Sequence, residues 1–171
     1  MLLSANATIA PEGLVLAICD AESPMARTSL NREAWDFGKT TPEPLFGYNT
    51  FLSREMEQGH GLCWILVLWG VYRLELRLHT ERLPRIQKHG TLIGNTVTAP
   101  RLRCPSGRLV IVDVESSATA TPTPFATIPP GDYAALFEDA GIEGQHWDLT
   151  NPSQYPKHEG PEWIVHLAAD R

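Results

Sequence analysis

From residue 72 to residue 79 apolar and polar side chains alternate without a break. Tyr72, Leu74, Leu76 and Leu78 fall on one side and Arg73, Glu75, Arg77 and His79 on the other, the period of a strand with one face buried and one wet. The preceding run, Cys63 to Trp69, is apolar at every position, and Gly70 separates the two. The pattern predicts a strand, a tight reversal around "WGVY" and a second strand, forming an antiparallel hairpin at the centre of a sheet. A single long strand bulged at Gly70 satisfies the same pattern.

A second regularity is a repeat. "PEGLVLAICDAES" from Pro11 and "PSGRLVIVDVESS" from Pro105 share a plan of proline, any residue, glycine, an apolar run and Asp-x-Glu-Ser, and "PPGDYAALFEDAG" from Pro129 is a looser copy. Proline lacks a backbone donor and glycine tolerates positive φ, so each pair reads as a turn that delivers the chain into a strand. The acids that close the runs, Asp20, Asp113 and the pair Glu138 and Asp139, are expected to mark each strand's exit to solvent. Two of the copies are expected at equivalent places in two halves of a sandwich.

Within these runs Val110, Val112 and Val114 oppose Leu109, Ile111 and Asp113, and Tyr133, Ala135 and Phe137 oppose Ala134, Leu136 and Glu138. In "EWIVHLA" Trp163, Val165 and Leu167 oppose Ile164, His166 and Ala168. Strands with two apolar faces belong inside a layered structure. The other segments read as connections: a short helical turn in "SREMEQGHG" from Ser53, a Thr-Pro extended linker in "TATPTPFATIPP", and a long polar loop from Gly144 to Pro161. The expected fold is all-β: a single domain over residues 1–171, an antiparallel β-sandwich of about seven to nine strands with little helix.

Composition agrees with this and narrows the function. A chain of 171 residues has the size of one domain, and 43% hydrophobic with 20% charged residues is ordinary for a globular protein. The net charge of −6 argues against direct nucleic-acid binding, which needs a basic footprint. Basic residues dominate from Arg73 to Arg108, and acids dominate from Asp132 onward. The asymmetry reads either as two solvated faces or as an acidic surface that steers a basic partner. Cys19, Cys63 and Cys104 are odd in number, widely spaced and flanked by apolar residues or proline, so buried, reduced thiols are expected. "MLLSANATIA" has no charged n-region followed by an apolar core, and "LCWILVLWGVY" is too short to cross a bilayer as a helix. A cytoplasmic protein without membrane contact is expected.

Chemistry-bearing patterns are sparse. His60 and Cys63 stand three apart, but no second ligand pair accompanies them, and neither HExxH nor paired CxxC occurs. No GxSxG motif and no phosphate-cradling glycine loop is present. The expectation is a protein with no catalytic residues, no metal and no cofactor. Aromatic residues are the better candidates: Trp35, Phe37, Phe46, Tyr48, Phe51 and Trp147 fall in segments read as loops, where they either cap the sandwich ends or anchor a partner. The acids around Trp147 tilt that region toward binding, so Glu138, Asp139, Glu143, Trp147 and Asp148 are the expected partner-binding residues.

The order "PEGLVLAICD", then "CPSGRLVIVD", "IPPGDYAALFED" and the closing "PEWIVHLA" resembles the ComJ-like family of small bacterial β-sandwich proteins. The resemblance spans most of residues 9–169; the chain departs from the family's aromatic-proline close by ending in "HLAADR", and no family binding residue carries over. It implies a non-catalytic binding protein, an immunity or inhibitor protein that neutralises a bacterial toxin or nuclease through an acidic surface. Two other classes stay open on the residues alone: a small metal-dependent enzyme using the loop histidines, and a self-assembling structural protein. Neither the partner nor the oligomeric state is legible.

Overall fold

The strands expected around residues 72–79, 108–114, 131–139 and 162–168 all form, and their alternation sets which side chains meet between two sheets. The computed structural model describes residues 3–10, 15–26, 52–65, 71–93, 100–114, 121–141 and 160–170. Over these the strands are β1 (Leu3–Ile9), β2 (Val15–Asp20), β3 (Leu62–Ile65), β4 (Tyr72–His79), β5 (Arg101–Cys104), β6 (Arg108–Asp113), β7 (Thr123–Thr127), β8 (Gly131–Asp139) and β9 (Trp163–Ala169). One sheet has the order β1-β4-β9-β8-β5 and the other β3-β2-β6-β7. All pairs are antiparallel except β4 with β9. β9 fills the slot between β4 and β8, and its antiparallel pairing to β8 dictates its direction beside β4.

The sequence readings need four corrections. β3 and β4 lie in different sheets and make no hairpin; the reversal expected between them falls outside the described residues. The Thr-Pro segment is a strand, β7, at the edge of its sheet, where a proline costs no ladder bond. It pairs with β6 through a register shift at Leu109 and Val110, with Pro124 opposite Val110. The first and second repeats do not occupy separate halves: β2 and β6 are neighbours in one sheet, Ile18 opposite Ile111, and only β8 stands in the other.

The fourth correction concerns the acid of the first repeat. Asp20 is only 1% exposed. Its Oδ2 accepts hydrogen bonds from the Ser106 amide at 3.0 Å, the Ser106 hydroxyl at 2.7 Å and the Cys104 thiol at 3.1 Å, and its Oδ1 accepts from the Glu22 amide at 2.8 Å. Burial pushes this carboxyl's pKa up, but the four donors outweigh it and hold it below the ordinary value. Asp113, Glu138 and Asp139 do stand half-exposed at their strand ends.

The Pro-x-Gly turns share a placement that explains their recurrence. Pro105–Gly107 carries the chain from β5 in one sheet to β6 in the other, and Pro129–Pro130 carries it back from β7 to β8. The first copy lies in the link from β1 to β2, which also changes sheet. The two described corners pack together, with the Ile128 amide donating to the Gly107 carbonyl at 2.8 Å. Gly107 holds φ at +71°, and a Cβ there would meet the Ile128 carbonyl oxygen at 2.6 Å, so the corner requires glycine. The Tyr133 hydroxyl donates back to the Pro129 carbonyl and closes the second corner.

Two apolar clusters result. Between the sheets lie Leu16, Ile18, Leu109 and Ile111 from one side and Leu74, Leu76, Val165 and Leu167 from the other. Trp64 packs there with ring centroids 5.0 Å from Phe137 and 5.6 Å from Trp163. The outer face of the four-stranded sheet, with Ala17, Cys19, Cys63, Val110 and Val112, is covered by Met25, Leu52, Met56 and Ile93. Leu52 and Met56 lie on the helical turn read in the sequence, which spans 52–57 and ends where Gly59 takes φ +75°. All three cysteines are buried and free, as expected. Among the described residues no helix is long and apolar enough to cross a membrane.

Candidate functional site

The polar face of the five-stranded sheet gathers ionisable side chains from four of its strands. From β4 it receives Arg73, Glu75, Arg77 and His79, from β5 Arg101 and Arg103, from β8 Asp132 and Glu138, and from β9 His166. These side chains are organised into pairs. Arg77 donates from Nε to Glu75 Oε1 at 2.7 Å and from Nη2 to Oε2 at 3.0 Å, and the Ser4 hydroxyl on β1 donates to the same carboxylate at 3.2 Å. The Arg77 hydrogen bonds hold the Glu75 pKa below its usual value against the opposing effect of burial. Arg101 meets Asp170 at 3.3 Å, and Arg103 meets Asp132 at 3.4 Å.

At the middle of this face lies a chain of three groups. In the strand register Arg77 and Leu136 flank His166, while His79 and Glu138 are its diagonal neighbours, within reach of long side chains. His79 Nε2 lies 3.0 Å from His166 Nδ1, and His166 Nε2 lies 2.6 Å from Glu138 Oε2. The two imidazoles are stacked at an interplanar angle of 28°. Glu138 as a carboxylate accepts from His166 Nε2; with both rings neutral, His79 Nε2 then donates to His166 Nδ1, leaving His79 Nδ1 as the outward nitrogen. Burial, and then His166 beside it, hold the His79 pKa below its ordinary value.

His166, which the sequence puts on a strand with two apolar faces, is 2% exposed, and both its ring nitrogens have partners. The signal was present in the alternation, which put His166 beside two apolar positions, Ile164 and Ala168. Its partners are 87 and 28 residues away, beyond any local pattern.

Of the expected partner-binding residues, Glu138 and Asp139 sit at the end of β8, half-exposed, with Glu138 bonded to His166 and Asp139 meeting Lys88 at 3.1 Å. Glu143, Trp147 and Asp148 lie outside the described residues, as do Trp35, Phe37, Phe46, Tyr48 and Phe51. His60 and Cys63 do not come together as ligands: His60 Nδ1 is 2.7 Å from Glu55 Oε2, and Cys63 is fully buried in the outer cluster. Among the described residues no group of three metal-ligating side chains occurs. Burial raises the pKa of all three thiols, that of Cys104 to about 12, so none is a thiolate at neutral pH.

No protein-family model matches the sequence, and it matches no curated protein. Solved structures do match. A protein named for crocagin biosynthetic gene J superposes with a TM-score of 0.67 at 22% identity, covering 99% of this chain and 98% of the other. ComJ of Bacillus subtilis, described as the inhibitor of the DNA degrading activity of NucA, superposes with a TM-score of 0.51 at 8% identity, covering 99% of each chain. The likeness extends over the whole described sandwich, and the chain has the ComJ-like fold that its Pro-x-Gly strands led one to expect.

Proposed function

We propose that the protein is a non-catalytic inhibitor or immunity protein that binds and neutralises a basic protein partner of the nuclease or toxin kind. The observation that carries this reading is the full-length likeness in fold to ComJ, a nuclease inhibitor. The net charge of −6 supports it, because a basic nuclease face is drawn to an acidic surface at rates that salt suppresses. The proposed contact surface is the end of β8 and the chain beyond it, with Glu138, Asp139, Glu143, Trp147 and Asp148. Glu138 and Asp139 are already held in place by His166 and Lys88, so little ordering is left for binding to impose on them.

The test is inhibition of DNA degradation by the nuclease or toxin encoded beside this gene, measured with stoichiometric additions of the purified protein. Loss of activity at one equivalent, with association slowed by salt, is expected. Undiminished activity and no complex at micromolar concentrations defeat the reading. A second reading, a role in a biosynthetic gene set, is favoured by the superposition with the crocagin biosynthesis protein at a TM-score of 0.67. It predicts that deletion of the gene removes a product and leaves nuclease resistance unchanged.

A further inference from the structure

We infer that the cleft beside His79 is a binding site for a small phosphate-bearing molecule, a phosphate monoester held by Arg82 and Arg85. The cleft has a volume of about 410 Å³ and is lined by His79, Arg82, Leu83, Pro84 and Arg85. It falls within the range of small-ligand sites, roughly 300–1,000 Å³.

Charge pairing singles it out. Arg73, Arg77, Arg101, Arg103, Arg108 and Lys88 each meet a carboxylate. Arg82 and Arg85 are exposed and, among the described residues, meet none, although both line one cleft. Two arginines lining one cleft put like charges side by side, and an anion bound there relieves the repulsion. Their planar forks fit phosphate bidentately, and two forks with an imidazole offer more donors than the two oxygens of a carboxylate can accept. Leu83 and Pro84, half-buried between the arginines in sequence, give an apolar wall for the body of an ester.

His79 is the third group, and the hydrogen-bonded chain behind it holds its ring in place through His166 and Glu138. Arg77 of β4 and His166 of β9 act on this ring; Glu75 pairs with Arg77, Glu138 of β8 pairs with His166, and Arg82 and Arg85 line the same cleft. A second cleft that His79 also lines, of about 330 Å³, adds Asp132, Tyr133 and Asp170 on its other side. A bound phosphate favours the protonated imidazole, so binding takes up a proton at His79 and tightens as the pH falls toward 6. The cleft does not rest on the partner surface proposed above, although the two meet at Glu138, which holds the His79 ring through His166.

The experiment titrates the full chain with inorganic phosphate, with a nucleoside monophosphate and with acetate at matched ionic strength. Melting temperature and the His79 imidazole NMR signals are followed together. Saturable stabilisation by phosphate and more strongly by the monophosphate is expected, with the His79 titration midpoint moving up. Arg82→Gln and Arg85→Gln each weaken binding about tenfold or more, the scale of one charged hydrogen bond; Arg108→Gln, remote from the cleft, binds as the native chain does. Both cleft arginines are exposed, so their replacement leaves the fold intact. The proposal is overturned by equal stabilisation with acetate, by undiminished binding in the Arg82 and Arg85 variants, by binding that leaves the His79 signals unmoved, or by a DNA oligonucleotide that outcompetes the monophosphate.

Discussion

Asp20 accepts both the amide and the hydroxyl of Ser106, at 3.0 and 2.7 Å, from a position 86 residues earlier in the chain. The carboxylate ties the end of β2 to the corner between β5 and β6, and so joins the two sheets. Asp20→Ala strands the four donors that its carboxylate accepts, and is expected to cost about 3 kcal/mol of stability in urea unfolding. Ser106→Ala removes one of the bonds and costs about 1 kcal/mol. Glu22→Ala breaks only an exposed pair with Arg108 and should change stability by less than about 0.5 kcal/mol.

Acid sensitivity follows from the same groups. Asp20 and Glu75 have folded-state pKa values below their unfolded ones, so their contribution is complete above about pH 4 and is lost as the pH falls through the folded values. His79 is also depressed: the unfolded chain takes its proton first, and stability declines as the pH drops below about 6.5. Melting temperature against pH should therefore be highest above neutrality's acid side, fall gently below about pH 6.5 and steeply below about pH 4. Asp20→Asn flattens the lower limb and His79→Gln the upper one.

The corner glycine is expected to resist substitution. Gly107→Ala places a Cβ 2.6 Å from the Ile128 carbonyl oxygen on a backbone at φ +71°, and should destabilise by about 2 kcal/mol or more. At Gly131 the added methyl has its nearest neighbour, Tyr133 Cε2, at 3.9 Å, so Gly131→Ala should cost less than about 1 kcal/mol. Equal losses at both positions would show that the contact between the corners is not what demands glycine.

His166 can be tested by what its neighbours do. Its closeness is the second cause of the depressed His79 value, after burial. His166→Asn should raise the His79 titration midpoint toward 6.5 without restoring it fully, as read by NMR. It should also lower stability by about 2 kcal/mol, since Glu138 loses the partner that holds it.

The proposed partner surface predicts a division of labour. Trp147→Ala should weaken partner binding by about 2 kcal/mol or more while leaving the melting temperature nearly unchanged. Exchanging Asp139 and Glu143 for lysine should slow association and reduce its salt dependence, leaving dissociation little altered. A melting temperature that drops sharply in Trp147→Ala, beside unaltered association of the lysine variant, counts against this surface and assigns Trp147 to the core.

What the sequence by itself determined is local. The alternation from Tyr72 to His79 set which side chains face the core, because successive side chains of a strand must point to opposite sides. The doubly apolar runs at Val15–Asp20 and Arg108–Asp113 announced strands covered on both faces. The same alternation is present in Leu3–Ile9 and Arg101–Cys104, but small residues in one and brevity in the other weaken the apolar signal.

Only the tertiary structure decided the neighbours. Period two determines a face but says nothing of which strand lies alongside, so the apparent hairpin at residues 63–79 proved to be a change of sheet. β9 found its place parallel to β4, and Asp20 and His166 were buried by partners far along the chain. A polar side chain is buried when a distant group satisfies it, and no local pattern encodes that partner. The candidate site is built from such diagonal contacts across three strands, which is why its residues read as ordinary surface histidines and acids until the strands were laid side by side.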